Sequence, residues 1–166
     1  LIELAKKFSR GYGVPMNRFI AANLYKRVFE TLFSSNIESI PEFIHRNRVN
    51  RKERVCMWGA YSKLIVEQSG IDEWKEDVEI EWGFTRRIGR LVIKGKGPLE
   101  DYLCGRKKCK IRDYDCIGNS MAPWKKAYKE RIKSVIVCYG VCSVGWHAFS
   151  YCSSLMSVVI PDGFTS

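Results

Sequence analysis

The sequence predicts an α+β fold: an antiparallel helical repeat region (residues 1–70), then a β-rich capping unit (78–131), then the start of a solenoid of stacked strands (132–166). Three patterns indicate this order. Apolar residues recur at helical spacing near the amino end, apolar and charged residues alternate from Val78, and a segment near the carboxyl end repeats after 23 residues.

The first 33 residues predict two helices joined by a glycine turn at residues 11–15. Each helix is expected to bury one apolar stripe against the other, as in an αα-hairpin. The stripes consist of Leu1, Leu4, Ala5 and Phe8 in the first helix and of Ala21, Leu24, Tyr25, Val28 and Phe29 in the second.

Two further helices are predicted before residue 70. A short helix includes Pro41 near its start, and a longer amphipathic helix runs from Arg51 to Gln68 and stops at Gly70. Residues 71–77 are then the expected boundary between the helical and the β-rich architecture. The apolar positions are Ile37, Ile40, Phe43 and Ile44 in the short helix and Val55, Trp58, Tyr61, Leu64 and Ile65 on one side of the long one.

Residues 3–33 carry an aromatic residue, Gly-x-Gly-Val, an Asp or Asn, an alanine and a tyrosine in a fixed order: Phe8, Gly11, Gly13, Val14, Asn17, Ala21 and Tyr25. This order resembles a Sel-one-like repeat, a relative of the tetratricopeptide repeats. Ile20 replaces the usual Lys and Val28 the usual Ala, and both changes leave the packing intact. The resemblance implies an adaptor role in multiprotein assemblies.

A half-buried strand is predicted at residues 78–82, where apolar and charged residues alternate, and Leu91–Ile93 can pair with it. Glu79 and Glu81 share one face of this strand and most simply keep the sheet soluble. We interpret residues 78–131 as an atypical terminal unit that shields the open end of the solenoid.

Residues 132–143 align without gaps on residues 155–166. In each copy two apolar residues stand two apart, so on a strand they point the same way, into a core shared with the next coil. A glycine follows each strand, where a turn with positive φ is needed. The pairs are Val135 with Val137 and Val158 with Ile160, the glycines are Gly140 and Gly163, and Ala148, Phe149 and Cys152 are expected on one helical turn that closes the coil.

The segments Gly140-Val-Cys-Ser-Val-Gly145, Ala148-Phe149, Cys152-Ser-Ser-Leu155 and Ile160-Pro-Asp-Gly163 resemble the BspA-like leucine-rich repeat family, and residues 81–128 are similar to its usual lead-in. Cys138 stands where that family has Pro, Cys142 stands where it has Thr, and a basic, cysteine-bearing stretch occupies residues 104–117. The resemblance implies that this chain is part of a bacterial-type surface protein that attaches to proteins of a host or a neighbouring cell. It favours a cell-surface or secreted location.

The formal net charge of +10 favours anionic partners and leaves a polyanion- or nucleic-acid-binding module as an alternative function. The basic residues fall in separate runs, at residues 46–54, 86–90, 106–112 and 125–133, which is typical of solvated faces rather than of one binding stripe. Nucleic acid is therefore not the expected partner. No signal peptide and no membrane span is predicted, and both ends of the sequence look like cuts in a longer protein.

No catalytic, cofactor or metal site is predicted. The seven cysteines include no C-x-x-C pair and define neither a zinc site nor a disulfide framework, and Cys138 and Cys152 are expected to be buried as small hydrophobes. The two histidines, His45 and His147, support no catalytic constellation, and residues 118–122 resemble a nucleophile elbow only faintly because Pro123 opposes the helix that must follow. The sequence predicts a non-enzymatic scaffold for protein–protein interaction.

Overall fold

The structure, a computed structural model, describes residues 1–47, 50–77, 80–98, 122–143 and 148–161. It divides into two compact units, Leu1–Gly70 and Ile71–Ser166. The first unit is helical and the second contains the sheet, which confirms the α+β class.

The helical unit contains α1 (Ile2–Arg10), α2 (Arg18–Leu32), a 3-10 helix (Ile37–Ser39), α3 (Ile40–Arg46) and α4 (Arg51–Gln68). The helices predicted from spacing are therefore confirmed. Pro41 lies in the first turn of α3, where its missing N–H has no helical acceptor to lose. Gly70 follows α4 with a φ of 70°, as its position at the predicted stop requires.

Residues that follow the fixed order described above stabilise the turn between α1 and α2 and the start of α2. Gly11 caps α1 with a φ of 73°, and its N–H donates to the carbonyl of Lys7. The side chain of Asn17 caps α2 by accepting a hydrogen bond from the Ile20 N–H at 3.0 Å. Ala21 and Tyr25 are fully buried on α2. Each residue has a local physical role, and the Sel-one-like resemblance itself stays a prediction.

Burial in the helical unit differs from the predicted stripes at two helices. On α1, Leu1 and Leu4 are 56% and 43% exposed, and Ala5 is the buried member of the stripe. On α4, Cys56 and Met57 are buried beside the predicted positions. The prediction of a single apolar side for α4 was wrong because this helix packs against α1, α2 and α3 at once.

A buried carboxylate lies within the helical unit. Glu53 is fully buried on α4 and forms an ion pair with the guanidinium of Arg10, whose side chain is 44% exposed. The Tyr25 hydroxyl is buried as well, and burial, assisted by the nearby Glu53 carboxylate, raises the pKa of this phenol above its usual range. The Arg10–Glu53 pair ties α1 to α4.

The second unit contains β1 (Lys75–Asp77), β2 (Ile80–Thr85), β3 (Arg90–Gly95), β4 (Gly97–Pro98), α5 (Lys125–Tyr128), β5 (Ser134–Val137), β6 (Val141–Ser143) and β7 (Ser157–Val159). Among the described residues, five of these strands form one sheet with the order β1-β2-β3-β5-β7. Strands β1, β2 and β3 pair antiparallel, whereas β3, β5 and β7 pair parallel, and β4 pairs with β6 in a separate parallel ladder.

The register of the sheet bears on two predictions. Ile93 pairs with Trp82 of the predicted strand, whereas Val92 and Leu91 lie opposite Gly83 and Phe84, beyond its predicted end at residue 82. In the β5–β7 pair, Val135 lies opposite Val158, so residues 23 positions apart occupy neighbouring rungs. Val78 and Glu79 lie outside the described residues.

The segment that closes the coil between β5 and β7 is not helical. Ala148, Phe149 and Cys152 pack against the core as expected, but the backbone from residue 148 to 151 forms bends and turns. Tyr151 has a φ of 61°, which ends any right-handed helical path. The predictions made for Gly163, for residues 145–147 and for residues 99–121 fall outside the described residues.

Gly140 occupies the tight turn between β5 and β6. Its φ is 117°, and a Cβ added there would lie 2.5 Å from the Gly95 carbonyl oxygen. A side chain would therefore both strain the backbone and press on the adjacent coil. The prediction of a positive φ at Gly140, in the turn that follows β5, is confirmed.

We expect Gly140→Ala to lower the free energy of unfolding of the second unit by about 2 kcal/mol, which chemical denaturation would measure. Gly13→Ala is the control. That glycine also has a positive φ, 75°, but nothing lies within 4 Å of the added methyl group, so the strain alone should cost about 1 kcal/mol. Equal losses for the two variants would show that the contact with Gly95 does not matter.

Candidate interaction surface

One face of the sheet forms the core of the second unit. Side chains two apart on successive strands point to this face, because the side-chain period of a strand is two. The ladders continue beyond the strands, since Cys138 N donates to the Ile93 oxygen and Met156 N donates to the Lys133 oxygen, each at 2.8 Å. The buried cluster consists of Ile80, Trp82, Leu91, Ile93, Ala122, Trp124, Ile132, Val135, Val137, Val141 and Ala148.

Aromatic rings connect the antiparallel strands with the repeat. Trp124, just before α5, is fully buried, and its Nε1–H donates to the Ala148 carbonyl at 2.9 Å. Its ring stacks on Phe149 at 5.8 Å and meets Trp82 edge-on at 6.0 Å. Trp124 therefore holds the coil between β5 and β7 against the residues of β2.

The opposite face of the sheet is apolar too. Val92 and Ile136 are neighbours in the β3–β5 register, and they are 0% and 3% exposed. Gly83 lies opposite Val92 in the β2–β3 register, and a Cβ added to Gly83 would lie 2.5 Å from the Ile71 side chain. This second apolar face was not predicted from the sequence. Runs of three apolar residues in β3 and β5, typical of parallel strands buried on both sides, were the signal that could have found it.

The last described rung differs from the rung before it. Val135 and Val137 are 0% and 2% exposed, whereas their counterparts Val158 and Ile160, 23 residues later, are 39% and 38% exposed. The next coil with which Val158 and Ile160 were predicted to share a core is not among the described residues, so that prediction stays a prediction. Among the described strands, β5 lies between β3 and β7, whereas β7 has a neighbouring strand on one side.

We call the exposed apolar residues of this rung the terminal rung surface: Tyr151, Met156, Val158 and Ile160. Tyr151 is 60% exposed and Met156 is 82% exposed, so this surface offers apolar area beside an edge strand. Tyr151 and Met156 were not predicted as surface residues, because neither follows the strand pattern. In the structure Met156 directly precedes β7, and Tyr151 lies in the turn before it.

The residues considered for chemistry do not form a site in the described part of the chain. His45 is exposed and meets the ring of Trp58 edge-on at 5.5 Å. His147, Cys104, Cys109 and Cys116 lie outside the described residues.

Cys56 and Cys152 are free thiols. Cys56 and Cys138 are buried, as expected for Cys138, whereas Cys152 is only half-buried, so the prediction that it is buried was wrong. Burial raises the pKa of the Cys152 thiol, partly offset by the nearby Lys125 and Lys129. Over the described ranges, no three His, Cys, Asp or Glu residues come together in a way that could hold a metal ion. Among the described helices, none has the length and apolar character needed to cross a bilayer.

No protein-family model matches the chain, and no curated protein matches it. Among solved structures, the chain is similar to a leucine-rich repeat protein from Eubacterium ventriosum ATCC 27560 determined at 2.50 Å resolution. The two chains are 27% identical, with a TM-score of 0.42 over 55% of the present chain. The present chain spans 20% of the length of that protein.

Proposed function

We propose that this chain is a non-catalytic repeat scaffold that binds other proteins through its stacked rungs. The observation that carries the proposal is the parallel, in-register stacking of β3, β5 and β7, with apolar side chains left half-exposed on the last rung. Stacked units of this kind create extended surfaces, and binding to them comes from many modest contacts rather than from a cleft.

The two edges of the sheet differ in a way that supports this proposal. Strand β1 is short and consists of Lys75, Glu76 and Asp77, and charged residues at an edge discourage further pairing. Strand β7 consists of Ser157, Val158 and Val159, which suit the addition of another strand. We therefore propose that β1 and β2 cap the stack and that the occupant of the β7 edge is a further polypeptide strand.

Two finer parts of the proposal rest on the resemblances. BspA-like repeats favour adhesion at a cell surface as the setting of this binding. The Sel-one-like repeat in residues 3–33 favours a second protein-binding element in the helical unit, where Tyr12 and Phe19 are 76% and 68% exposed.

We expect a chain lengthened by a second copy of residues 144–166 to unfold at a higher temperature than the original chain. The added strand would cover Val158 and Ile160, and burying their remaining exposed area should contribute about 1 kcal/mol. Differential scanning calorimetry would measure the shift. The control carries lysines in the added copy at the positions equivalent to Val158 and Ile160, so that it cannot stack. A shift of the same size in both lengthened chains, or in neither, contradicts the proposal.

The alternative function is polyanion or nucleic-acid binding, favoured by the net charge of +10. The described basic runs lie on separate elements, with Arg51 and Lys52 at the start of α4 and Arg86 and Arg87 in the turn after β2. A salt titration separates the two functions. Steep loss of heparin or DNA affinity between low and moderate salt favours the alternative, whereas salt-tolerant binding to a protein favours the scaffold.

A further inference from the structure

The segment from α5 to β5 carries an uncompensated positive charge. Between residues 125 and 133 there are five lysines and arginines and one acidic residue, Glu130. Some basic side chains of the helical unit do have carboxylate partners, as Lys26 has in Glu30 and Glu67. Within the described ranges no ion pair joins Lys126, Lys129 or Arg131 to a carboxylate.

This segment lines an open surface cavity of about 270 Å³. Its lining residues are Lys125, Lys126, Ala127, Lys129, Glu130 and Arg131. Four of the six lining residues are therefore cationic and one is acidic, and the space could hold several water molecules at about 30 Å³ each. This volume is sufficient for a small oxyanion with part of its hydration shell.

Lys125 is unusual among the lining residues because it is only 6% exposed. Its ammonium group donates a hydrogen bond to the Ser150 hydroxyl at 2.5 Å. Burial lowers the pKa of Lys125, and the nearby Lys129 acts in the same direction. A buried ammonium group without a carboxylate partner is costly, and a bound anion would reduce that cost.

The cavity has a rigid frame on both sides. Trp124 precedes Lys125 and is fixed in the core by its hydrogen bond to the Ala148 carbonyl. Later in the segment, the Glu130 carbonyl accepts a hydrogen bond from the Ser154 hydroxyl at 2.7 Å. The basic side chains thus project from backbone that is held in place before any ligand arrives, which reduces the entropy lost on binding.

We propose that this cavity binds a tetrahedral oxyanion, a phosphate or a sulfate group, with Lys126, Lys129 and Arg131 as its ligands. Arginine supplies a planar pair of N–H donors that matches two oxyanion oxygens, and lysine supplies compact positive charge. Lys125, which also lines the cavity and is largely buried, adds positive charge. This proposal does not depend on the scaffold function, because the cavity lies in the segment before β5 and not on the terminal rung surface.

Isothermal titration calorimetry with inorganic phosphate, and separately with inorganic sulfate, at low ionic strength tests the proposal. We expect saturable binding of at least one of the two anions to the intact chain, and at least tenfold weaker binding to the triple variant Lys126→Gln, Lys129→Gln, Arg131→Gln. The matched control Lys7→Gln, Arg27→Gln, Lys52→Gln removes the same charge from exposed positions of the helical unit and should bind as the original chain does.

A second variant guards against loss of structure. Lys125→Met replaces the buried ammonium group with an apolar side chain of similar length, so it should keep its melting temperature in the absence of anion and bind anion several-fold more weakly. Binding of heparin without binding of either small anion would assign the effect to the overall positive field and overturn the proposal. Equal weakening in the control triple variant would overturn it as well.

Discussion

Trp124→Ala should lower the free energy of unfolding of the second unit by about 3–5 kcal/mol, the cost typical of deleting a fully buried large aromatic residue. The indole fills the centre of the core, where it contacts Trp82 and Phe149. Its loss also removes the hydrogen bond to the Ala148 carbonyl, which is itself part of the coil between β5 and β7. The antiparallel strands would then lose their aromatic contact with the repeat, while the pairing of β3 with β5 would remain.

Denaturant titration followed by far-ultraviolet circular dichroism would measure this loss. Trp124→Phe keeps a ring in the core but removes the N–H donor, so we expect an intermediate cost of about 1–3 kcal/mol. Tyr151→Ala serves as the control at a residue that is 60% exposed, and it should stay within about 0.5 kcal/mol of the original chain. If Trp124→Ala costs no more than Tyr151→Ala, the aromatic connection does not stabilise the unit.

The second large effect is expected at the buried ion pair of the helical unit. Arg10→Met leaves the carboxylate of Glu53 fully buried without its cation, and breaking such a pair costs about 3–5 kcal/mol. We expect about 3 kcal/mol, the lower end of this range, because the Arg10 side chain is 44% exposed and water screens the interaction. Thermal unfolding of the helical unit at neutral pH would show the loss.

Two further variants isolate the pair. Arg46→Met removes the partner of Glu42 from an exposed pair and should cost less than about 1 kcal/mol. The double variant Arg10→Met, Glu53→Met removes both charges and should recover most of the stability, since no unpaired carboxylate remains. A double variant as unstable as Arg10→Met alone would show that packing, not charge, explains the loss.

The candidate surface was only partly predictable from the sequence. The repeat of residues 132–143 at 155–166 predicted that Val135 and Val158 occupy neighbouring rungs, and the register confirms it. The same repeat gave equal roles to both valines, yet one is fully buried and the other is 39% exposed. A repeat in sequence cannot state which copy lies at the edge of a sheet, since that depends on the strands paired on either side.

The basic cavity was even less predictable from the sequence than the candidate surface. The run of lysines at residues 125–133 is visible in the sequence, where it reads as a solvated face. That Lys125 is buried and meets Ser150, 25 residues away, follows from the packing of Trp124 under the next coil. Burial of one charged residue in a basic run has no signature in spacing or composition.

The sequence by itself determined helices α1 to α4, the turns at Gly11, Gly70 and Gly140, and the register of β7 on β5, because each follows from backbone preferences and from the spacing and repetition of apolar side chains. Tertiary structure decided which apolar faces are covered. It placed α4 against three other helices, buried Val92 and Ile136 on the second face of the sheet, and left Val158 half-exposed. The physical reason is that periodicity marks the side of an element that avoids water, whereas burial also requires another element to pack against that side.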